Sequence, residues 1–185
     1  LDPTVLRTLP GVTTVTPNRV QQPHRARPSP VVPAPLSEYT NAQHHNTDAA
    51  NQLRDARNQL VRGTGIGVAI LDTGTTVGHR GHFPGGNTNN RTGPGLNGSH
   101  VLAVYGASGF GTADVNAHGT HVAGDACANR APDDGPAPAA GVIGIKVDDN
   151  TGSATDSWLI TAWQLVAQHK TRHGIQVANN SYTGS

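Results

Sequence analysis

The chain has 185 residues, which is long enough for one domain with its own hydrophobic core. A formal net charge of +1 excludes the strong single-sign field typical of proteins that bind nucleic acid or membrane surfaces. The one cysteine, Cys127, excludes an internal disulfide, and no apolar run approaches the roughly 18 residues of a membrane span.

The N-terminal part of the chain is predicted to be the end of one folded piece followed by a linker. The chain contains no methionine and opens with no signal peptide, so we expect Leu1 to follow a processing or truncation point. Within residues 1–22, the Pro10-Gly11 pair predicts a helix end and residues 13–17 predict a short strand. Residues 23–38 contain five prolines, which exclude a helix or inner strand and predict an extended linker.

Residues 39–185 are predicted to form one domain in which strands alternate with helices. Strands are expected at 65–72, 101–106, 141–147 and 175–181, and helices at 41–60, from His118 onward and at 155–173. The strand at 141–147, the helix at 155–173 and the strand at 175–181 follow one another along the chain. This order is typical of a βαβ unit, whose strands run parallel. The predicted fold class is therefore α/β with a largely parallel sheet.

The stretch VAILDTGTTVGH places one carboxylate, Asp72, at the end of a buried strand. Two classes of protease use such a carboxylate. An aspartic protease needs two carboxylates that share a proton, whereas a Ser-His-Asp protease needs one carboxylate behind a histidine. No second Asp-Thr-Gly or Asp-Ser-Gly occurs, so only a homodimer could supply the pair that the aspartic class requires.

The stretch NAHGTHVAGDACAN predicts a helix that begins at His118, with Asn116 as a candidate cap. Each glycine inside a helix costs about 1 kcal/mol relative to alanine, so a helix with glycines indicates close approach to a neighbouring element. A rigid helix start suits a general base, which must stay within hydrogen-bond reach of its proton. His121 raises zinc as an alternative, but zinc proteases of this kind carry a glutamate between the two histidines, and Gly119-Thr120 supplies none.

VAILDTG followed 46 residues later by the histidine of HGTHVAG resembles the subtilisin-like serine proteases. IKVDDNTGSATDSWLITAWQLV and VANNSYTGS are similar to the family's substrate-side segments, and LRTLPGVTTVTPNRV is similar to the end of its inhibitory propeptide. The resemblance implies a subtilisin-like sheet with helices on both faces. It assigns residues 1–22 to the end of a propeptide, residues 23–38 to a linker and residues 39–185 to the first part of the catalytic domain.

The resemblance also implies site residues and partners. Asp72 is expected to orient His118, and His118 is expected to be the general base. Two substrate-lining segments are implied: Gly152, Ser153 and Ala154, and Ser181, Tyr182, Thr183 and Gly184. Tyr182 and Thr183 depart from the family's Leu-Gly, so they are expected to alter substrate preference. The implied partners are a protein or peptide substrate and the chain's own propeptide, the implied location is extracellular, and no cofactor is required.

The nucleophile of the implied triad has no counterpart in the sequence. No Gly-Thr-Ser-Met-Ala-like segment occurs. We therefore expect the chain to carry the aspartate and the histidine of the triad but not its serine, and to be inactive by itself. Because the chain is expected to hold only the first part of the catalytic domain, its parallel sheet is expected to be incomplete. The alternative is a subtilisin-like module that has lost catalysis and serves in binding or regulation.

The remaining chemically distinctive residues have ordinary structural interpretations. Cys127 follows His118 on its helix and is predicted to be a small core residue. Asp148-Asp149-Asn150 could supply oxygen ligands to a structural calcium, but the segment is typical of a turn between strand and helix. Trp158 and Trp163 are predicted to pack on the sheet, and His79, His82 and His100 to lie in loops.

The boundary between the propeptide-like segment and the domain predicts where maturation occurs. We expect cleavage within residues 23–35, because an exposed, proline-rich chain there is accessible to a protease. N-terminal sequencing of the mature protein checks this expectation. A first residue well before Gln21, or beyond residue 60, would contradict it.

Overall fold

A computed structural model describes residues 3–23, 50, 52–77, 100–129 and 134–184. Its helices and strands follow one another in the order expected of an α/β domain. They are α1 (Pro3–Leu6), β1 (Val20–Pro23), β2 (Gly67–Asp72), β3 (Val101–Gly106), α2 (His118–Cys127), β4 (Gly141–Lys146), β5 (Ala154–Thr155), α3 (Asp156–His173), β6 (Ile175–Asn180) and β7 (Tyr182–Gly184). None of the helices in these ranges is long and apolar enough to cross a membrane.

The main sheet has four strands in the order β3-β4-β2-β6. All three pairings are parallel, which confirms the predicted fold class. Helix α3 connects β4 to β6, but these strands are not neighbours, because β2 lies between them. The carboxyl ends of the parallel strands therefore meet at one edge of the sheet, and Asp72, the last residue of β2, stands at that edge.

Alternate residues of β2 face two separate clusters of the hydrophobic core. Ala69 and Leu71 pack in a cluster with Ala162 of α3, whereas Val68 and Ile70 pack with residues of α2. Strands buried on both faces carry continuous apolar runs, as β2 and β4 do here. The prediction that helices cover both faces of the sheet is thereby confirmed.

A second, three-stranded sheet lies beside the main one. Strand β1 is its middle strand and pairs antiparallel with β5 on one side and β7 on the other. The prediction of a short strand at residues 13–17 is wrong, because these residues join no sheet. A strand forms instead at Val20–Pro23.

Two further predictions about secondary structure and packing are wrong. The predicted 41–60 helix is wrong over residues 52–60, which form a turn closed by a bridge between Arg54 and Leu60, with a left-handed φ of 61° at Asn58. Ala50 is helical, and residues 41–49 and 51 lie outside the described residues. Trp163 is 45% exposed on α3, whereas Trp158 packs against the core. His79 and His82, like most of the predicted linker, lie outside the described residues.

The start of α2 is held by Asp114 rather than by the predicted cap Asn116. The residue that precedes the helix is Ala117, with a left-handed φ of 71° and no capping side chain of its own. The Asp114 carboxylate accepts from the backbone N–H groups of Asn116 at 3.1 Å, Ala117 at 2.8 Å and Thr120 at 2.8 Å. A carboxylate at this end of a helix satisfies orphan donors and complements the helix dipole.

Asp114 makes the stability of this helix start depend on pH. Burial works to raise the pKa of Asp114, but hydrogen bonds from Thr120, Thr73 and Ala117 outweigh it and leave the pKa lowered. A carboxyl with a lowered folded pKa stabilises the fold above its unfolded pKa of about 3.9, and that stabilisation is lost as the pH falls through the folded value.

We therefore expect Asp114→Asn to lower the free energy of unfolding at pH 7 by about 1–2 kcal/mol. The difference from the wild-type chain should shrink below a pH of about 4. Urea unfolding at several pH values measures it. Asp125→Asn, on the exposed side of the same helix, is the matched control, and a deficit for Asp114→Asn that does not change with pH would contradict the account.

Candidate active site

Asp72 occupies the carboxyl end of β2 and is fully buried. Its Oδ1 accepts a hydrogen bond from the backbone N–H of Thr73 at 2.7 Å, which fixes the carboxylate at the start of the turn. Oδ2 has no hydrogen-bond partner among the described residues. Burial is the largest influence on this group and raises its pKa, while the hydrogen bonds from His118 and Thr73 work to lower it.

His118 is the first residue of α2, and its ring faces Asp72. Nδ1 of His118 lies 2.7 Å from Oδ1 of Asp72, and the imidazole side chain is 18% exposed. Because an ionised carboxylate can only accept, this contact assigns the proton to Nδ1 and leaves Nε2 as the basic nitrogen of the neutral ring. The structure thus brings together the two residues that the sequence predicted as a pair.

Gly119 allows the helix to approach the turn after β2 this closely. A Cβ at position 119 would overlap the carbonyl oxygen of Gly74 and lie 3.0 Å from the Cβ of Asp72. The prediction that a glycine in this helix marks close backbone approach is confirmed at this residue. A larger residue at position 119 would push the imidazole away from its carboxylate.

Thr73 and Asp114 fasten the turn to the helix, and sequence reasoning missed both. The Thr73 hydroxyl accepts from the N–H of Gly119 at 2.9 Å and donates to Oδ1 of Asp114 at 2.9 Å. The same carboxylate that starts the helix therefore also anchors the residue next to Asp72. The available signal was an acidic residue shortly before the first helical residue, which is typical of helix N-termini.

Lys146 supports the same turn from the neighbouring strand. Its side chain is fully buried at the end of β4, donates to the carbonyl oxygen of Thr73 at 3.0 Å, and forms an ion pair with Asp148, which is also fully buried. Removing one partner of a buried ion pair typically costs about 3–5 kcal/mol, because the other charge is left uncompensated. The signal in the sequence is a lysine at the end of an otherwise apolar strand.

The segment after β4 is a turn, as predicted. Oδ1 of Asp149 accepts from the backbone N–H groups of Thr151 and Ser153, and Asn150 has a left-handed φ of 73°. Asp148 points instead to Lys146. Over the part of the chain that the structure describes, there is no group of three or more His, Cys, Asp or Glu side chains that could hold a metal ion.

The two predicted substrate-lining segments flank a groove that is filled by β1. Gln21 pairs with Ala154 on one side and with Gly184 on the other, and Pro23 pairs with Tyr182. Gly152 lies close to the end of β1, since an added Cβ there would stand 3.8 Å from Cγ of Pro23. Of the remaining predicted residues, Ser153 lies beside Gln22, Thr183 is paired with it, and Ser181 precedes β7.

The groove leads towards the Asp72–His118 pair. Strand β1 runs antiparallel to β7, from Gly184 towards Tyr182, and β7 follows directly on β6. The end of β6 pairs with the end of β2, with Asn180 opposite Leu71. A chain that continues past Pro23 in the same direction therefore approaches the edge of the sheet where Asp72 and His118 lie.

Other candidate nucleophiles and ligands lie apart from this pair. His121 is 72% exposed and pairs with Asp125 at 3.2 Å on the outer side of α2, so it does not face the same space as His118. Cys127 is fully buried, as predicted, and burial raises its pKa to about 12. A thiol in such a position is not a nucleophile at neutral pH.

Comparison with known protein families supports the resemblance to subtilisin-like serine proteases. The model of the subtilase family (peptidase S8) matches residues 63–185, which include both Asp72 and His118 and both segments that border the groove. Members of this family are serine peptidases that act on proteins, and the resemblance to subtilisin-like proteases is confirmed. The chain belongs to the subtilase family.

Proposed function

We propose that Asp72 and His118 are the acid and base members of a Ser-His-Asp triad in a serine endopeptidase. The observation that carries the proposal is the 2.7 Å contact between Asp72 and Nδ1 of His118 at the carboxyl edge of a parallel sheet. It leaves Nε2 of His118 as the basic nitrogen, and the groove that holds β1 leads to this edge. The serine is proposed to come from outside these 185 residues, because no Gly-Thr-Ser segment occurs in them.

The proposed reaction is acyl transfer from a peptide to a serine. Nε2 of His118 takes the proton from the serine hydroxyl as its oxygen attacks the scissile carbonyl carbon. The imidazolium that forms is stabilised by Asp72 and then gives the proton to the leaving amine as the C–N bond breaks. In the second half, His118 takes a proton from water, the hydroxide attacks the acyl-enzyme, and the serine recovers its proton.

The substrate is proposed to be a protein or peptide bound in extended form between β5 and β7. Antiparallel pairing on both sides, as shown by β1, satisfies the backbone of an extended segment whatever its side chains. Residues 1–22 are proposed to be the end of the chain's own propeptide, and the protein to be an extracellular zymogen. The proposed reaction requires no cofactor, and a structural calcium has no assigned place in this proposal.

A second candidate is a subtilisin-like domain that binds peptides without cleaving them. The filled groove favours binding irrespective of catalysis, so the two candidates differ only in the nucleophile. A Gly-Thr-Ser-type segment elsewhere in the complete protein would support the peptidase, and its absence would support the binding module.

We expect Asp72→Asn and His118→Ala each to lower kcat/KM for peptide hydrolysis by the complete protein by about 10³-fold or more. The reason is that either change removes the positioned base that deprotonates the serine. His121→Ala, at a neighbouring and exposed histidine, is the control and should change kcat/KM by less than about twofold. Activity within a few-fold of wild type in both site variants, or serine-inhibitor-sensitive turnover by the 185-residue chain alone, would contradict the proposal.

A further inference from the structure

Asp156 is the first residue of α3 and follows directly on β5, one border of the groove. Both of its carboxylate oxygens are directed at the segment that fills the groove. Oδ1 accepts from the side-chain amide of Gln21, and Oδ2 accepts from Nε of Arg19 at 3.1 Å and from the backbone N–H of Arg19 at 3.2 Å. The N–H of Asp156 donates in turn to the carbonyl oxygen of Arg19 at 3.0 Å.

The contacts of Asp156 differ in how much selectivity they can supply. Arg19 is 63% exposed, and an ion pair so exposed contributes little to binding. Gln21 is 5% exposed, so its amide must find a partner inside the groove or remain unsatisfied. Gln22, by contrast, is exposed, and among the described residues its side chain bonds to the hydroxyl of Ser153 at 2.8 Å, at the rim of the groove. Gln21 and Pro23 are both buried, but Pro23 has no polar side-chain atom, so Gln21 is the described residue of β1 whose buried side chain the groove can recognise by a hydrogen bond.

The hydrogen-bond partner of the Gln21 side chain is the negatively charged carboxylate of Asp156. The hydrogen bonds from Gln21 and Arg19 lower the pKa of Asp156, so its carboxylate is ionised at neutral pH. A glutamine can donate to this carboxylate, whereas a glutamate of nearly the same shape would place two negative charges together. An apolar side chain would leave the carboxylate without its buried partner. A site built to hydrogen-bond one group rejects its analogues strongly for this reason.

We propose that Asp156 is a specificity-determining residue, and that the groove selects extended peptides with a side-chain amide donor at the position of Gln21. The inference rests on the proposed function, since it assumes that substrates occupy the groove as β1 does. It assigns Asp156 no part in the chemical step. Its role is to decide which segments reach the Asp72–His118 pair.

The first experiment tests this selection without catalysis, in the 185-residue chain. Hydrogen exchange of the backbone amides of residues 20–22 reports whether the segment is docked, and the amide of Ile70 reports that the fold is intact. We expect Gln21→Glu to accelerate exchange at residues 20–22 at least tenfold, and Asp156→Asn combined with Gln21→Glu to reverse most of that acceleration. Gln22→Glu is the matched control and should change exchange less than about threefold.

Two outcomes of the exchange experiment overturn the proposal. One is equal exchange at residues 20–22 in the wild-type chain and in Gln21→Glu. The other is an acceleration that Asp156→Asn fails to reverse while Ile70 stays protected, since the repulsion would then not come from Asp156.

The second experiment measures the preference in the complete protein. Peptides that differ only in Gln, Glu or Leu at the position of Gln21 are compared by kcat/KM. We expect a preference for Gln over Glu of tenfold or more, which falls below about threefold in Asp156→Asn; a purely structural role of Asp156 would lower all three values without changing their ratio. Hydrolysis without any preference overturns the inference and leaves the peptidase intact. No hydrolysis of any peptide refutes the peptidase, and the exchange experiment then decides the inference alone.

Discussion

The hydrogen bond between Asp72 and His118 is the interaction on which the proposed function depends, and several unrelated parts of the fold keep it in place. Strand β2 fixes the carboxylate, and the start of α2 fixes the imidazole. Gly119 allows the two backbones to approach, while Thr73 links the turn to Asp114. Each of these supports acts on the separation of the two side chains, because proton transfer tolerates little displacement.

The candidate site contains charged side chains that are buried, which is energetically unfavourable. Asp72, Lys146 and Asp148 are all fully buried, and an ionised group removed from water costs several kcal/mol unless it is paired and hydrogen-bonded. Lys146 and Asp148 satisfy each other, and the lysine also holds the carbonyl of Thr73. Asp72 has a proton donor on only one of its oxygens among the described residues. The apolar clusters on the two faces of the sheet offset this cost.

The parts of the structure that could be predicted are those with a local signal. The apolar run of β2 can be recognised from consecutive residues of the sequence. The same holds for the helix from Asp156 to His173, which Thr155 caps and Gly174 ends. The Asp72–His118 pair was accessible because two short motifs lie at the ends of predictable elements. Strand β1 was not, since Val20–Pro23 has no strand signal and pairs only with partners more than 130 residues away. The roles of Lys146, Asp114 and Asp156 likewise depend on contacts that only the folded chain creates.

The protonation state of His118 tests the central claim most directly. In the 185-residue chain, nitrogen-15 NMR of the neutral imidazole should show the proton on Nδ1 and a bare Nε2, because Asp72 accepts from Nδ1. In Asp72→Asn, whose side-chain amide can donate, the share of the other tautomer should rise. A wild-type ring protonated on Nε2, or a tautomer unaffected by the loss of the carboxylate, would contradict the account.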